Sequence, residues 1–443
     1  MSTETVSRTL AAEPSLPEVH STVGISHSPF YWRRLLGFLG PGFLISVGYM
    51  DPGNWATDIA GGSQFGYTLL YVIMLSNLMA ILLQSLSLKL GVATERDLAQ
   101  LCNESYGRVT SFTLWILAEI AIAACDLAEV IGSAIALELL FHIPLFYGVL
   151  ITGTDVLLIL FLQRFGFRYI EALVIALIGA IIALFGVQTL LSHPDYWPIL
   201  RNLVIPSPAI VTNSAMFYIA IGILGATVMP HNLYLHSSIV QSRRYKRTPK
   251  GKREAIHMAN IDSALALMIA LFVNAAILIV AAAVFHRHGL YNVAAIQDAY
   301  KLLTPMLGAA GASTLFAVAL LASGENSAIT GTLAGQVVME GFIHIRVSPW
   351  LRRLITRSLA IIPTIIVVAL MGEQGTEKLL ILSQVILSLQ LSFAVIPLVI
   401  FTGDRKRMGE FVNGRGLQAL AWFTAAVIAV LNGWLLVETF MGR

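Results

Sequence analysis

A carboxylate, a proline and an amide stand together inside an apolar stretch near the start of the chain. The segment "GYMDPGNWATDI", residues 48 to 59, contains Asp51, Pro52 and Asn54. Proline removes a backbone donor and clashes with the preceding turn, so we expect the helix to be interrupted here. Carboxylate oxygens, amide oxygens and main-chain carbonyls freed by such a break are all ligands for cations.

A second segment, "GATVMPHNLYLHSS", residues 225 to 238, repeats the pattern. Met229-Pro230-His231-Asn232 matches Asp51-Pro52-Gly53-Asn54 position by position. Paired interruptions in corresponding apolar segments point to a transport site between two structural repeats. The alternative is that both prolines only kink their helices. An ionisable residue at membrane depth costs roughly 2.5–3.5 kcal/mol, so Asp51 favours a functional cavity.

The donor types select a class of ion. Asp51 offers a hard anionic oxygen, Asn54 a neutral oxygen, Met229 a soft thioether, and the unwound backbone near Ala226 a carbonyl. This mixture favours a borderline transition metal such as Mn²⁺ or Fe²⁺, whereas an all-oxygen set would suit Mg²⁺ or Ca²⁺. The alternative for Met229 is a gap-filling core residue.

A third segment, "LAEIAIAACDLAEVIGSA", contains Glu119, Asp126 and Glu129. At about 100° per residue, Glu119 and Asp126 share one helix face and Glu129 lies nearby. A buried carboxylate stripe predicts a proton pathway, and the alternative is a static ion-pair network. His231 is a candidate proton relay, and His236 is structural or lines the pore.

Composition shows where these segments must lie. The chain has 443 residues, of which 57% are hydrophobic and 12% charged, against about 25% charged residues in soluble proteins. We therefore predict an all-α integral membrane protein. The two cysteines form neither a disulfide framework nor a zinc motif. Residues 1–30 are polar and aperiodic, without the pattern of a cleaved signal peptide.

Apolar runs predict eleven spans, because a spanning helix needs about 20 apolar residues. The predicted spans are 36–60, 66–90, 111–139, 143–163, 168–191, 210–240, 262–285, 306–340, 350–371, 377–401 and 417–439. With the N-terminus inside, most of the 28 basic residues fall on the cytoplasmic side, as expected for a membrane protein. The C-terminus is then outside. The basic run at 243–253 is interpreted as a loop facing anionic lipid rather than as a nucleic-acid site.

Taken together, "DPGN", "MPHN", "GASTLFAVALLASG", "GTLAGQVVMEGF", "PWLRRLIT" and "LSQVILSL" resemble the Nramp family of proton-coupled divalent-metal transporters, and most of all its bacterial manganese branch. The resemblance runs over roughly 35 to 440. It implies a LeuT-like fold with broken first and sixth spans. The implied divisions are a disordered cytoplasmic tail 1–35, inverted repeats 36–205 and 206–403, and a loop with the eleventh span, 404–443.

The resemblance also implies roles for individual residues. The implied metal ligands are Asp51, Asn54, the Ala226 carbonyl, Met229 and Gln384. The implied partners of the carboxylate stripe are Arg352 and Arg353. Further candidates are Gln84, Asn232, His236 and Glu325. Glu325 stands where the family commonly has an uncharged residue, and it could add a proton or ion site or pair with a buried arginine.

The resulting hypothesis is an importer of Mn²⁺, and of Fe²⁺ and other divalent metals, driven with H⁺ by alternating access across the cell membrane. It requires no resident cofactor and no obligate protein partner. Two alternatives keep the fold: an Mg²⁺ transporter, which should lack the thioether, and a Na⁺-coupled amino-acid symporter, which should use half-helix N-termini to bind a carboxylate. A third, an intramembrane enzyme, should show catalytic residue pairs.

Overall fold

The computed structural model describes residues 14–25, 28–153, 165–293, 295–308, 311–343 and 349–440, which are almost entirely helical. In chain order the α-helices are α1 (Tyr31–Phe38), α2 (Pro41–Gly48), α3 (Pro52–Phe65), α4 (Leu70–Thr94), α5 (Leu98–Ser105), α6 (Arg108–Phe141), α7 (Leu145–Thr152), α8 (Phe167–Leu191), α9 (Tyr196–Val204), α10 (Ala209–Thr212), α11 (Ser214–Thr227), α12 (Pro230–Ile239), α13 (Pro249–Val284), α14 (Ile296–Leu307), α15 (Ala312–Ile343), α16 (Pro349–Gly403), α17 (Arg405–Met408) and α18 (Arg415–Phe440). Two short strands, β1 (Val23–Gly24) and β2 (Arg243–Arg244), pair in parallel.

Both predicted helix breaks are confirmed. The first span is divided into α2 and α3, and the sixth into α11 and α12. Pro52 and Pro230 each occupy the first turn of the second half, where a missing N–H costs nothing and the fixed φ suits a helix start.

Among the remaining spans, the structure differs from the prediction at the start of the seventh span and at the ninth and tenth spans. The seventh span begins earlier than predicted, because Thr248 accepts the backbone N–H of Gly251 at 3.3 Å and caps α13 within the basic loop. The part of the predicted fourth span that follows α7 lies almost entirely outside the described residues.

Seven stretches of the described chain are long and apolar enough to cross a membrane: Pro52–Thr94, Arg108–Phe141, Phe167–Leu191, Ser214–Ser242, Pro249–His288, Gly375–Gly403 and Arg415–Val437.

The predicted ninth and tenth spans form one helical run, α16. Arg357 contacts Glu129 on α6. One turn further along α6, a Cβ on Gly132 would lie 2.2 Å from Pro52, and the next residue, Gly53, contacts Gln384, so positions 357 and 384 are joined by a short series of contacts. A straight helix would separate positions 357 and 384 by about 40 Å. The run therefore cannot be straight, and its two ends behave as separate spans.

The helices pack in two groups. In one, α13 packs against α2, α3 and α4, and α12 packs against α4. In the other, α6 packs extensively against α15 and α16. The first broken helix thus belongs mainly to one bundle. The second, α11 and α12, packs both against α4 of that bundle and against α15 and α16, and so lies where the two groups meet.

The prediction of a disordered tail over 1–35 is wrong for the part of it that the structure describes. Leu16 is only 1% exposed and Val19 is also buried in the main core, while α1 begins at Tyr31. The two apolar side chains are isolated in a polar segment, so composition gave no sign that they dock on the bundle. Residues 1–13 lie outside the described residues.

Candidate metal site

Acidic and carbonyl oxygens from both helix breaks converge on one point. The side-chain nitrogen of Asn54 lies 2.8 Å from Asp51 Oδ1, 3.3 Å from the Gly48 carbonyl oxygen and 3.2 Å from the Ala226 carbonyl oxygen. An amide NH₂ has only two protons, so three acceptors compete for two donors. A carboxylate and two carbonyls around one point form a set of oxygens suited to a cation.

Asp51 also caps the second half of the first span. Its Oδ1 accepts the backbone N–H of Asn54 at 2.8 Å, as an N-cap residue does. Its other oxygen, Oδ2, is buried and has no hydrogen-bond partner within the described part of the chain. One carboxylate oxygen therefore holds the helix end while the other remains available to a ligand.

The thioether of Met229 lies beside this oxygen group. A Cβ placed on Gly48 would lie 3.1 Å from Met229 Sδ and 2.4 Å from the Asn232 side-chain nitrogen, so only glycine fits between them. Met229 is fully buried and packs with Cys125 and Leu387. The sulfur is thus next to the residue that contributes one of the carbonyl acceptors.

Gln384 joins the two broken helices to α16. A Cβ on Gly53 would lie 1.7 Å from the Gln384 side-chain nitrogen, and one on Gly225 would lie 2.1 Å from the Gln384 carbonyl oxygen. The structure therefore brings together all five residues predicted as metal ligands: Asp51, Asn54, Ala226, Met229 and Gln384.

This arrangement differs from a permanent metal centre. Among the described residues, no group of three or more His, Cys, Asp or Glu side chains is placed to hold a metal ion. The donors are one carboxylate, neutral oxygens and a thioether.

The carboxylates of α6 lie in different environments. Asp126 and Glu129 are buried, whereas Glu119 is half-buried and accepts the indole N–H of Trp115 at 3.0 Å. Gly331 on α15 leaves room for the buried pair, because a Cβ there would lie 3.1 Å from Glu129 Oε1 and 3.2 Å from Asp126 Oδ1.

Arg357 is the basic partner of Glu129 and was missed in the sequence analysis. Its Nη1 lies 3.4 Å from Glu129 Oε2, and both side chains are buried. Ser327 donates to Glu129 Oε1 at 2.8 Å. The available signal was an arginine inside an apolar run, which is rare without a buried partner. The side chains of the predicted partners, Arg352 and Arg353, lie outside the described residues.

A polar chain runs from the first break towards the second half of the sixth span. His236 Nδ1 lies 2.9 Å from Gln84 Oε1, and the Gln84 amide donates to the Tyr49 hydroxyl at 2.8 Å. His231 is buried, and neither ring nitrogen has a partner within the described ranges. The Asn232 amide donates to the Ile45 carbonyl at 3.5 Å and so links α12 to α2.

Glu325 does not belong to the group of donors at the breaks described above. It is half-buried on α15. Two residues earlier, Ser323 donates to the Met50 carbonyl oxygen at the first break. The same segment of α15 therefore reaches the break through Ser323.

Sequence reasoning also missed a buried ion pair beneath α2. Arg243 Nη1 lies 2.8 Å from Glu171 Oε1, and each side chain is 1% exposed. Arg243 Nη2 donates to the Leu39 carbonyl at 2.7 Å, and Asp262 accepts the N–H of Gly42 at 2.7 Å. These contacts close the corner between α1 and α2. Lone carboxylates within apolar runs were the only available signal.

The chain is similar to known transporters over almost its whole length. Residues 42–438 match the family model described as Nramp, natural resistance-associated macrophage protein-like. The divalent metal cation transporter MntH of Mesorhizobium japonicum is 61% identical over 430 residues, covering 97% of this chain and 95% of the relative. The MntH of a Nostoc species is 62% identical over 429 residues, covering 97% of each chain.

Solved structures agree with these matches. The manganese transporter of Eremococcus coleocola, crystallised with an aromatic bis-isothiourea substituted compound, is 44% identical, with a TM-score of 0.88, 95% of this chain covered and 90% of that chain. Mhp1, a nucleobase-cation-symport-1 family transporter, has a TM-score of 0.62 at 14% identity, with 96% and 92% of the two chains covered. At that identity the second likeness concerns the fold alone.

Proposed function

Because this chain belongs to the Nramp family, we propose that it is a secondary active transporter that carries Mn²⁺ inward together with protons. Fe²⁺ and other first-row divalent ions are further substrates in this proposal. The two relatives described above are themselves called divalent metal cation transporters, and a structural neighbour is called a manganese transporter.

One observation carries the proposal: acceptor oxygens from both helix breaks meet at the Asn54 amide, beside the Met229 thioether. An Asn side chain presents either its oxygen or its nitrogen after a half-turn of the amide. In the structure the nitrogen donates to the acceptors. For a bound cation, the half-turn would present Asn54 Oδ1 instead. Asp51, Asn54, Ala226 and Met229 then supply oxygen and sulfur donors, and Gln384 adds its side-chain oxygen.

In this proposal the thioether sulfur of Met229 sets the preference of the site for transition metals over Mg²⁺ and Ca²⁺. A thioether is a poor ligand for hard ions such as Mg²⁺ and Ca²⁺ and a usable one for softer transition metals. Met229 therefore disfavours the alternative of an Mg²⁺ transporter. The carboxylate at the same point disfavours a Na⁺-coupled amino-acid symporter, because Asp51 would repel a substrate carboxylate. The relatives are named as transporters, which disfavours the enzyme alternative.

The proposed proton route uses the buried carboxylates of α6. Asp126 and Glu129 lie together, and Arg357 balances the charge of Glu129. Glu119, Arg352 and Arg353 extend the proposed route towards its ends. His231 lies on α12, directly after the second break, and is the candidate relay between this route and the metal. His236, on the same helix, has a structural or pore-lining role in this proposal.

Alternating access would rock the bundle of broken helices against the group built around α6. Inward movement of a divalent cation gains about 4.6 kcal/mol per 100 mV of membrane potential, twice the value for a single charge. The proposed setting is the cell membrane, with the N-terminus cytoplasmic and the C-terminus outside. The repeats 36–205 and 206–403 provide the two related halves, and 404–443 adds the eleventh span.

Uptake by purified protein in proteoliposomes tests this function. An inside-negative potential with acid outside should drive Mn²⁺ accumulation together with acidification of the lumen. Mg²⁺ and amino acids at equal concentration should accumulate far more slowly. Amino-acid uptake without Mn²⁺ uptake, or equal rates for Mg²⁺ and Mn²⁺, would contradict the proposal.

A further inference from the structure

Residues 14–25, here called the N-terminal strap, are built into the bundle although their composition is that of a loose tail. Leu16 and Val19 are part of the main hydrophobic core, and Ser15 is buried beside them. Burial of these two apolar side chains removes their surface from water and so favours the docked position of the segment. The strap therefore occupies a defined binding place on the rest of the chain.

On one side the strap is attached to the end of the sixth span. The backbone N–H of Ser21 donates to the Gln241 carbonyl at 3.0 Å, and the Ser238 hydroxyl donates to the Ser15 carbonyl at 3.5 Å. The β1–β2 ladder continues this attachment, pairing Val23 with Arg243. These contacts all fall at or just after the C-terminal end of α12.

On the other side the strap is attached to the last turns of α15. The backbone N–H of Leu16 donates to Glu340 Oε2 at 3.0 Å, and the Gln336 amide donates to Glu18 Oε1 at 3.0 Å. Gln336 also donates to Glu340 Oε1 at 3.2 Å, which fixes the carboxylate that receives the strap. Hydrogen bonds to a charged group are worth more than neutral ones.

The two attachment points lie on two different helices, α12 of a broken span and α15 of the group built around α6, and these two helices pack directly on each other. The end of α12 belongs to a broken helix, whereas α15 packs along α6. A segment that bridges both ends must leave one of them before they can separate. We propose that the N-terminal strap is a latch that holds the cytoplasmic mouth closed and must leave α15 before the ion is released. This inference rests on the proposed transport function and its orientation.

The accessibility of position 238 to a reagent measures whether the strap is docked, because the docked strap covers Ser238. Full-length protein carrying Ser238→Cys would be exposed to an impermeant thiol reagent on its cytoplasmic side; both native cysteines are buried. Adding Leu16→Asp should speed labelling by about tenfold or more, because a carboxylate would have to be buried for docking. Pro17→Asp adds the same charge at an exposed neighbouring position and should leave labelling near that of the parent. Unchanged labelling in Leu16→Asp would overturn the proposal.

A reversible cross-link tests whether release is needed for transport. Glu18→Cys and Gln336→Cys, combined in one chain, would be joined by a reducible bis-thiosulfonate reagent. Mn²⁺ uptake should be lost on cross-linking and return when the bridge is reduced, which excludes misfolding as the cause. Each single variant, treated in the same way, should keep its uptake.

The outcomes separate the latch from the transport function. If the cross-linked protein carries Mn²⁺ as fast as the reduced protein, the latch proposal fails while the transport function stands. If the parent protein carries no Mn²⁺ at all, the proposed function fails, and the Ser238→Cys labelling alone decides whether the strap covers the end of α12.

Discussion

The side-chain nitrogen of Asn54 lies 3.2 Å from the Ala226 carbonyl oxygen, so a hydrogen bond joins α3, after the first helix break, to α11, before the second. The two residues are far apart in the sequence and belong to different halves of the proposed repeat. Their contact places donors from both broken helices around one point. Any movement of one break relative to the other must therefore change the proposed metal site.

Replacement of Asp51 by alanine should abolish Mn²⁺ binding. Its carboxylate supplies the anionic oxygen of the site, and its Oδ2 has no other partner within the described ranges. Titration calorimetry on the purified variant should show no Mn²⁺ heat, and uptake should fall to background. Asp51→Asn, which keeps the capping oxygen for the Asn54 N–H, separates loss of charge from loss of the helix cap. Near-parental Mn²⁺ affinity in both variants would place the site elsewhere.

Replacement of Met229 by alanine should change selectivity more than activity. Water filling the vacated place would leave a site of oxygens only, so Mn²⁺ uptake should persist at lower affinity. Cd²⁺ should weaken more, and Mg²⁺ or Ca²⁺ should begin to compete. Competition assays on one protein preparation give these ratios independently of expression. An unchanged preference for Mn²⁺ over Mg²⁺ would remove the thioether from the selectivity argument.

Arg357→Met should destabilise the protein strongly, because it breaks the buried ion pair that Arg357 forms with Glu129. Breaking such a pair costs about 3–5 kcal/mol, whereas replacing both partners is often neutral. The double variant with Glu129→Gln should therefore recover most of the melting temperature in detergent. Arg34→Met is the matched control, because its pair with Glu254 is about one-third exposed and such pairs contribute at most about 1 kcal/mol. An equal fall in melting temperature in Arg357→Met and Arg34→Met would contradict burial of the ion pair as the cause.

Docking of the N-terminal strap should weaken in acid. Burial lowers the pKa of His20, nearby Arg247 lowers it further, and Glu95 opposes these effects. Arg247 donates to His20 Nε2 at 2.9 Å, which requires a neutral imidazole. Docking is therefore fully favoured above the undocked pKa of about 6.5 and declines as pH falls through it. Thiol labelling slows in acid because the thiolate is the reactive form, so the rate for Ser238→Cys is divided by that of Ser238→Cys with Leu16→Asp at the same pH. This ratio should rise between pH 7.5 and 5.5, and His20→Gln should remove that rise.

The orientation of the chain can be read in intact cells. The excess of basic residues on one side predicts that the 243–253 loop is cytoplasmic and that Arg443 is outside. A tag after Arg443 should react with an impermeant reagent, and a tag in the loop should react only after permeabilisation. The reverse pattern would contradict the eleven-span topology.

The helix breaks and the metal-ligand types were predictable because their causes are local. Pro52 and Pro230 act on their own turns of backbone, and apolar runs of spanning length require little knowledge of neighbours. The same reasoning identified Asp51 and Met229 as candidate ligands from their residue types alone. It predicted a carboxylate stripe on α6, and the structure confirms that Asp126 and Glu129 lie together while Glu119 lies in a different environment.

Contacts between distant parts of the chain could not be predicted in this way. The pairing of Glu129 with Arg357, the pairing of Glu171 with Arg243 and the docking of Leu16 each depend on how the helices cross. Periodicity shows which face of a helix is polar, but not which residue of another helix meets it. A buried charge needs a partner, and packing of the whole bundle selects which one. Residue chemistry thus predicted the composition of the candidate site, and long-range packing set its geometry and the docking of the N-terminal strap.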